Sequence, residues 1–215
     1  MATEIERRFL VRVPSAALSD STIIQRLEIT QGYLGWVGGL RVRVRISVDR
    51  DGTRSAMLTL KSRRAGYCRQ EFERQLDLDC AEKTLAGLAS HHIVSKTRYH
   101  IVDQLGVVWL LDFFKGLNEG LVIAEIELAN AEQHIELPSW IGEEVTFDAR
   151  YGNSALARSP IGNQRQPEHR FDTSLKAHVV VPRGSGSPQR HLALSVSTDP
   201  RNSPSAKARH APRPL

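Results

Sequence analysis

The residues best suited to chemistry open the chain: Glu4-Ile5-Glu6-Arg7-Arg8-Phe9. On a β-strand, side chains alternate between two faces, so Glu4, Glu6 and Arg8 share one face and Ile5, Arg7 and Phe9 the other. Burying two carboxylates and a guanidinium in a row is costly unless a counter-charge sits among them. A divalent cation satisfies the carboxylates and a phosphate satisfies the arginine. Alone, the segment reads more simply as a solvated edge strand, because charge is ordinarily exposed.

The pattern recurs, and recurrence changes that reading. Arg41, Arg43 and Arg45 alternate with apolar residues, Leu58-Thr59-Leu60 ends in Lys61, and Arg69, Glu71 and Glu73 are in phase. Lys96 and Arg98 flank Thr97, Leu110-Leu111 precedes Asp112, and Glu125 and Glu127 alternate with Ala124, Ile126 and Leu128. Six or seven strands, each charged on one face and mostly apolar on the other, imply one shared polar interior. An antiparallel barrel of about eight strands is the size that encloses one small ligand. The expected class is therefore mainly β (α+β): a closed eight-stranded antiparallel β-barrel, a tunnel, with a few short helices packed outside.

The elements that must hold these residues are legible to different degrees. Strands are expected at 3–13, 40–48, 56–63, 68–78, 95–103, 106–113, 121–129 and 143–147, with a looser alternation from Ile23 to Leu34. Gly35 to Gly39 reads as a loop whose glycines form no phosphate-cradling motif. Asp49-Arg50-Asp51-Gly52 is a turn signal. Pro14 opens a short helix, and Asp79 to Ala89 is the clearest helix, with Asp79 or Cys80 as its cap and Leu85 and Leu88 facing inward. His91 and His92 are adjacent, hence poor joint metal ligands, and take a structural or surface role.

Bulk composition narrows the function classes. The 215 residues allow one domain, or one domain and a tail. The net charge of +5 is uneven: residues 1–160 hold 20 Lys+Arg against 21 Asp+Glu, and residues 161–215 hold 9 against 3. The basic excess thus belongs to a Pro/Ser/Arg-rich tail, expected to be disordered, and nucleic acid is an improbable partner for the folded part. Its His178 to Val181 is a stray strand at most. Cys68 and Cys80 show no zinc-type spacing and fit reduced cytoplasmic thiols. No apolar run spans a membrane, and the acidic start is unlike a signal peptide.

Lined up, these segments resemble the CYTH family of triphosphate tunnel metalloenzymes in its short bacterial form. Glu4-Ile5-Glu6-Arg7-Arg8-Phe9-Leu10-Val11 is similar to the family's ExExK signature, with Arg8 in place of the lysine. Gln31-Gly32-Tyr33-Leu34, Arg41-x-Arg43-x-Arg45, Leu58-Thr59-Leu60-Lys61 and Arg69-x-Glu71-x-Glu73 follow in the family's order. So do Lys96-Thr97-Arg98-Tyr99, Asp112, the run from Gly120 to Leu128, Pro138-x-Trp140-x-Gly142-x-Glu144-Val145-Thr146, and Tyr151 to Pro160. The resemblance covers about residues 2–160, giving a tunnel domain over 1–160 and the tail over 161–215.

The resemblance implies an interior that binds a linear triphosphate. In-phase charges give seven acids (Glu4, Glu6, Glu71, Glu73, Asp112, Glu125 and Glu127) and eight bases (Arg8, Arg41, Arg43, Arg45, Lys61, Arg69, Lys96 and Arg98). That near-neutral, segregated set suits a metal together with a polyanion. Glu4, Glu6, Asp112, Glu125 and Glu127 are the expected ligands of Mg²⁺ or Mn²⁺, with Glu71, Glu73 and Glu144 as further tunnel acids. Arg8, Arg41, Arg43, Lys61, Arg69, Lys96 and Arg98 are expected to grip the phosphates. Arg8 and Lys96 are the expected catalytic cations. Positioning and electrostatics carry phosphoryl transfer, a cation-activated water is the expected nucleophile, and no covalent nucleophile is evident.

The expected activity is metal-dependent hydrolysis of inorganic tripolyphosphate. Thiamine triphosphate hydrolysis and class IV-type adenylate cyclisation are alternatives on the same scaffold. A non-catalytic polyphosphate or nucleotide binder is a third.

Overall fold

The computed structural model describes residues 2–161. The expected basic tail from residue 162 onward, with its stray strand, lies outside the described residues. Among those described, the chain runs β1 (Ala2–Val11), α1 (Pro14–Ser19), β2 (Thr22–Val37), β3 (Leu40–Val48), β4 (Arg54–Lys61) and β5 (Cys68–Leu76). It continues with α2 (Leu78–Ala86), β6 (Ile93–Val102), β7 (Val108–Phe114), β8 (Val122–Glu127), β9 (Ile141–Glu144) and α3 (Asn153–Arg158).

The sheet order is β5-β4-β3-β2-β6-β7-β8-β1-β9, and β1 also pairs with β5. Eight antiparallel strands therefore close into the expected barrel, and closure removes the exposed edges an open sheet would carry. One strand makes the closure. Along one edge β1 meets β8, with Glu6 opposite Glu127 and Arg8 opposite Glu125. Along the other, residues Ala2 to Ile5 pair with β5, and Phe9 and Val11 pair with β9.

The outer apolar faces are covered in two places. Phe9, Val11, Trp109, Leu111, Ala124 and Ile126 pack with Ala17 of α1 and with Trp140. The Trp109 indole N–H donates to Asp103 at 2.9 Å, which satisfies its buried polar end. Val44, Ile46 and Ala56 pack beneath Ala81 and Leu85 of α2, with Leu88 against the same cluster. Helix α2 starts earlier than expected, and its cap is Asp77, whose carboxylate accepts from the Cys80 backbone N–H at 3.0 Å.

A third cluster lies inside the barrel wall. Val94, Phe114 and Ile123 are in phase with Lys96, Asp112 and Glu125, so they face the interior, where they meet Leu156 and Ala157 of α3. Leu10 and Tyr33 pack on the same group. Helix α3 thus plugs one end of the barrel. Sequence periodicity gave no sign of it, because six residues are under two turns of helix.

Two other expectations give way. Residues 35–37 belong to β2 rather than to a loop: the hairpin is tight, with Val37 opposite Leu40 and a bulge between Tyr33 and Gly35. Gly35 takes the positive φ of 111° that this bulge requires. The strand expected at 143–147 lies at Ile141–Glu144, set by its pairing with β1.

Candidate active site: a charged tunnel

The unplugged length of the barrel encloses a cavity of about 390 Å³. Glu4 and Glu6 of β1 line it with Arg43 and Arg45 of β3, Lys61 of β4 and Arg69, Glu71 and Glu73 of β5. Arg98 of β6 and Glu125 and Glu127 of β8 complete the ring. Strand alternation puts all of them inside, while barrel closure brings the first acids beside the last. Glu4 and Glu127, far apart in the sequence, face one space.

The acids and bases interlock. Glu4 accepts from Lys61 at 3.0 Å and from Arg69 at 2.5 Å. Glu6 accepts from Arg69 at 3.0 Å and from Arg64. Glu71 lies 3.1 Å from Lys61, and Glu73 accepts from Thr59 at 2.8 Å and from Arg43 at 3.2 Å. Arg98 is shared between Asp112, at 2.6 Å, and Glu125.

This crowding displaces the protonation equilibria. Burial pushes the Glu4 carboxyl up, but Arg69 and Lys61 outweigh it and hold it far below its usual range. Glu6 goes the other way: burial, then the Glu125 and Glu4 carboxylates, raise it. Burial, then Glu4, likewise raises Glu127. Burial, with Glu4 and against Lys61, lifts Glu71 to about 7. Glu125 is buried yet brought down to about 2, because Arg98, Lys96 and Arg8 dominate. Burial and Arg98 push His100 down to about 4, so this wall residue is neutral at neutral pH.

Several expected site residues stand elsewhere. Asp112 is fully buried and does not line the cavity; it lies behind it, accepting from Lys96 and from Arg98. Its placement suits aiming those two cations rather than holding a metal. Lys96 is also buried; its ammonium donates to Asn153 at 3.2 Å, and burial and Arg98 bring it down to about 8. Glu144 is not a tunnel acid: Arg7 on the outer face of β1 takes it in an ion pair of 2.5 Å. Arg41 lies near the plugged end, stacked 4.7 Å from the Trp36 ring centroid, not on the tunnel wall.

Arg8 is the most altered expectation. Its two terminal nitrogens donate to backbone carbonyls, at 3.0 Å to Tyr151 and 2.9 Å to Thr146. Nε lies 3.8 Å from Glu6 Oε1 and has no hydrogen-bond partner. The guanidinium therefore ties β1 to the segment that leads into α3. A lysine ammonium has no rigid fork to make both carbonyl bonds in this geometry.

Other wall residues escaped the sequence reading. His100 is in phase with Lys96 and Arg98, a signal that was there to use. Arg64, which holds Glu6, and Asn153, which lines the cavity, come from a turn and from the missed helix, where no periodicity marks them.

Hard oxygen donors and guanidinium and ammonium groups around one cavity fit a divalent cation and a polyanion. The Nε atoms of Arg43 and Arg45 are buried without a hydrogen-bond partner. Such atoms are costly unless something accepts from them. Among the described residues no three acids already form a metal cage. Mg²⁺ needs none, since it keeps several waters and is commonly held by one or two carboxylates plus substrate phosphates.

An eight-stranded barrel with an acid-and-base-lined interior and a helical plug defines a class, and the chain belongs to it: residues 2–158 match the CYTH domain family. Two curated relatives are each named inorganic triphosphatase. The one from Acetivibrio thermocellus is 36% identical over 166 residues, covering 77% of this chain and 100% of the relative. The one from Nitrosomonas europaea is 38% identical over 160 residues, covering 73% and 98%. A crystal structure of an inorganic triphosphatase superposes with a TM-score of 0.54 at 35% identity, over 74% of this chain and 97% of that one. No helix among the described residues is long and apolar enough to cross a membrane.

Proposed function

We propose that this chain hydrolyses inorganic tripolyphosphate inside its tunnel, with Mg²⁺ or Mn²⁺, as a cytoplasmic enzyme. The observation that carries the reading is the cavity itself, which Arg43, Arg45, Lys61, Arg69 and Arg98 line together with carboxylates on the facing strands. The two inorganic triphosphatase relatives, each spanned almost completely, support the substrate.

Glu4, Glu6, Glu125 and Glu127 would hold the cation. Burial, and after it the neighbouring carboxylates, raise Glu6 and Glu127; a divalent ion would relieve the carboxylate part. When bound, such an ion lowers the pKa of water and neutralises phosphate charge. Arg43, Arg45, Lys61, Arg69 and Arg98 would grip the non-reacting phosphates and offset charge gathering on the terminal group. Their ion pairs with Glu4, Glu71, Glu73 and Glu125 preset their directions, so little reorganisation accompanies binding. Asp112, from behind the wall, fixes Arg98 and Lys96.

The test is phosphate release from tripolyphosphate, ATP and thiamine triphosphate, each with Mg²⁺, Mn²⁺ and Ca²⁺. Tripolyphosphate should be turned over fastest. Glu4→Gln and Glu6→Gln should each lower that turnover by about a hundredfold or more, the scale of losing one charge-stabilising group. Unchanged turnover in both variants, or tight binding with no release from any substrate, would overturn the reading.

A further inference from the structure

The plugged end of the barrel carries a second cationic site that the tunnel reading leaves unused. Arg41 stacks 4.7 Å and Arg63 5.3 Å from the ring centroid of Trp36. A small cavity of about 50 Å³ lies among Trp36, Arg41, His92, Ser154 and Arg158. Among the described residues, no carboxylate forms an ion pair with Arg41, Arg63 or Arg158. The tunnel differs sharply, because there nearly every cation has an acid within reach.

The backbone builds this place. The bulge at Gly35, with its positive φ, turns the end of β2 so that Trp36 lies opposite Arg41 of β3. Helix α3, whose Leu156 plugs the barrel, delivers Arg158 from the other side. Trp36 is left 44% exposed in company that favours anions. Arg41 is pushed down by burial and then by Arg158, with Arg69 and Arg63 adding to it, so the cations repel one another across the site. An anion of the right size removes that repulsion.

We propose that Arg41, Arg63 and Arg158, with Trp36, form a second oxyanion site at the plugged end, taking a single phosphoryl group. Guanidinium forks match phosphate oxygens in pairs, and the cavity admits one tetrahedral group rather than a chain. The group can be free inorganic phosphate, or the phosphate of a mononucleotide whose base lies on the exposed indole. This site is independent of what the tunnel hydrolyses.

The experiment titrates the full chain with inorganic phosphate and, separately, with AMP. Trp36 fluorescence is the local readout, since Trp109 and Trp140 are 0% and 2% exposed. A saturable change is expected, weakened at least tenfold in Arg63→Gln/Arg158→Gln, whose side chains are on the surface and whose tripolyphosphate turnover stays at the wild-type level. Arg45→Gln, in the tunnel wall, should leave the fluorescence change intact. Equal affinity for the two probes identifies free phosphate as the source, and tighter AMP identifies a nucleotide. No saturable change, a double variant that binds like wild type, or a change abolished by Arg45→Gln overturns the proposal.

Discussion

Arg8 shows how one side chain can be diverted from chemistry to architecture. A guanidinium fork reaches two carbonyls at once, and here those carbonyls lie in the stretch that carries the plug. Arg8→Lys should therefore lose one or both bonds and destabilise the fold by about 1–3 kcal/mol, the usual cost of unmaking charged hydrogen bonds at a buried site. Chemical denaturation of the two proteins measures it, and equal midpoints would refute the anchoring role. The sequence marked the position as different from the family signature, and its type as cationic. Which partners it would find was not legible, because Thr146 lies 138 residues away and takes the guanidinium through its backbone carbonyl, which no motif records. Glu144 departs from expectation for the opposite reason: its place in a family motif suits a tunnel acid, yet its neighbour is Arg7 on the outer face.

At the level of elements, the interior faces were readable because alternation is a strong, regular signal, and charge on every second residue is rare unless the face is used. The short connections and helices were not. Helix α3 has no sustained period, yet it sets the depth of the tunnel by filling one end with Leu156, which is fully buried. Leu156→Ala should open a void between Phe114, Ile123 and Val94 and cost about 2–5 kcal/mol, the range for truncating a buried leucine. Thermal unfolding reports the loss; a melting temperature within a degree of wild type would place that side chain outside the core.

Over the whole molecule, the tunnel stores repulsion among like charges as well as attraction between unlike ones, and pH exposes the balance. Glu71 has a folded-state pKa of about 7, above its ordinary 4.5. Between those values the folded chain holds a proton that the unfolded chain has released. Its contribution therefore favours the fold at the acid end and is lost as pH rises through about 7. Denaturation midpoints measured without ligand from pH 5 to 8 should show this fall, and Glu71→Gln should flatten it. An identical slope in the variant would assign the effect to other groups.

The dual pairing of β1 bears on how the protein is made. Glu6 leaves the ribosome long before its cross-strand partner Glu127 of β8. Such long-range closure pays its loop entropy late and folds slowly. A nascent chain halted before residue 127 could pair Glu4 with β5 but would leave Glu6 and Arg8 without β8, so the barrel stays open and catalytic competence is withheld until that strand has been made.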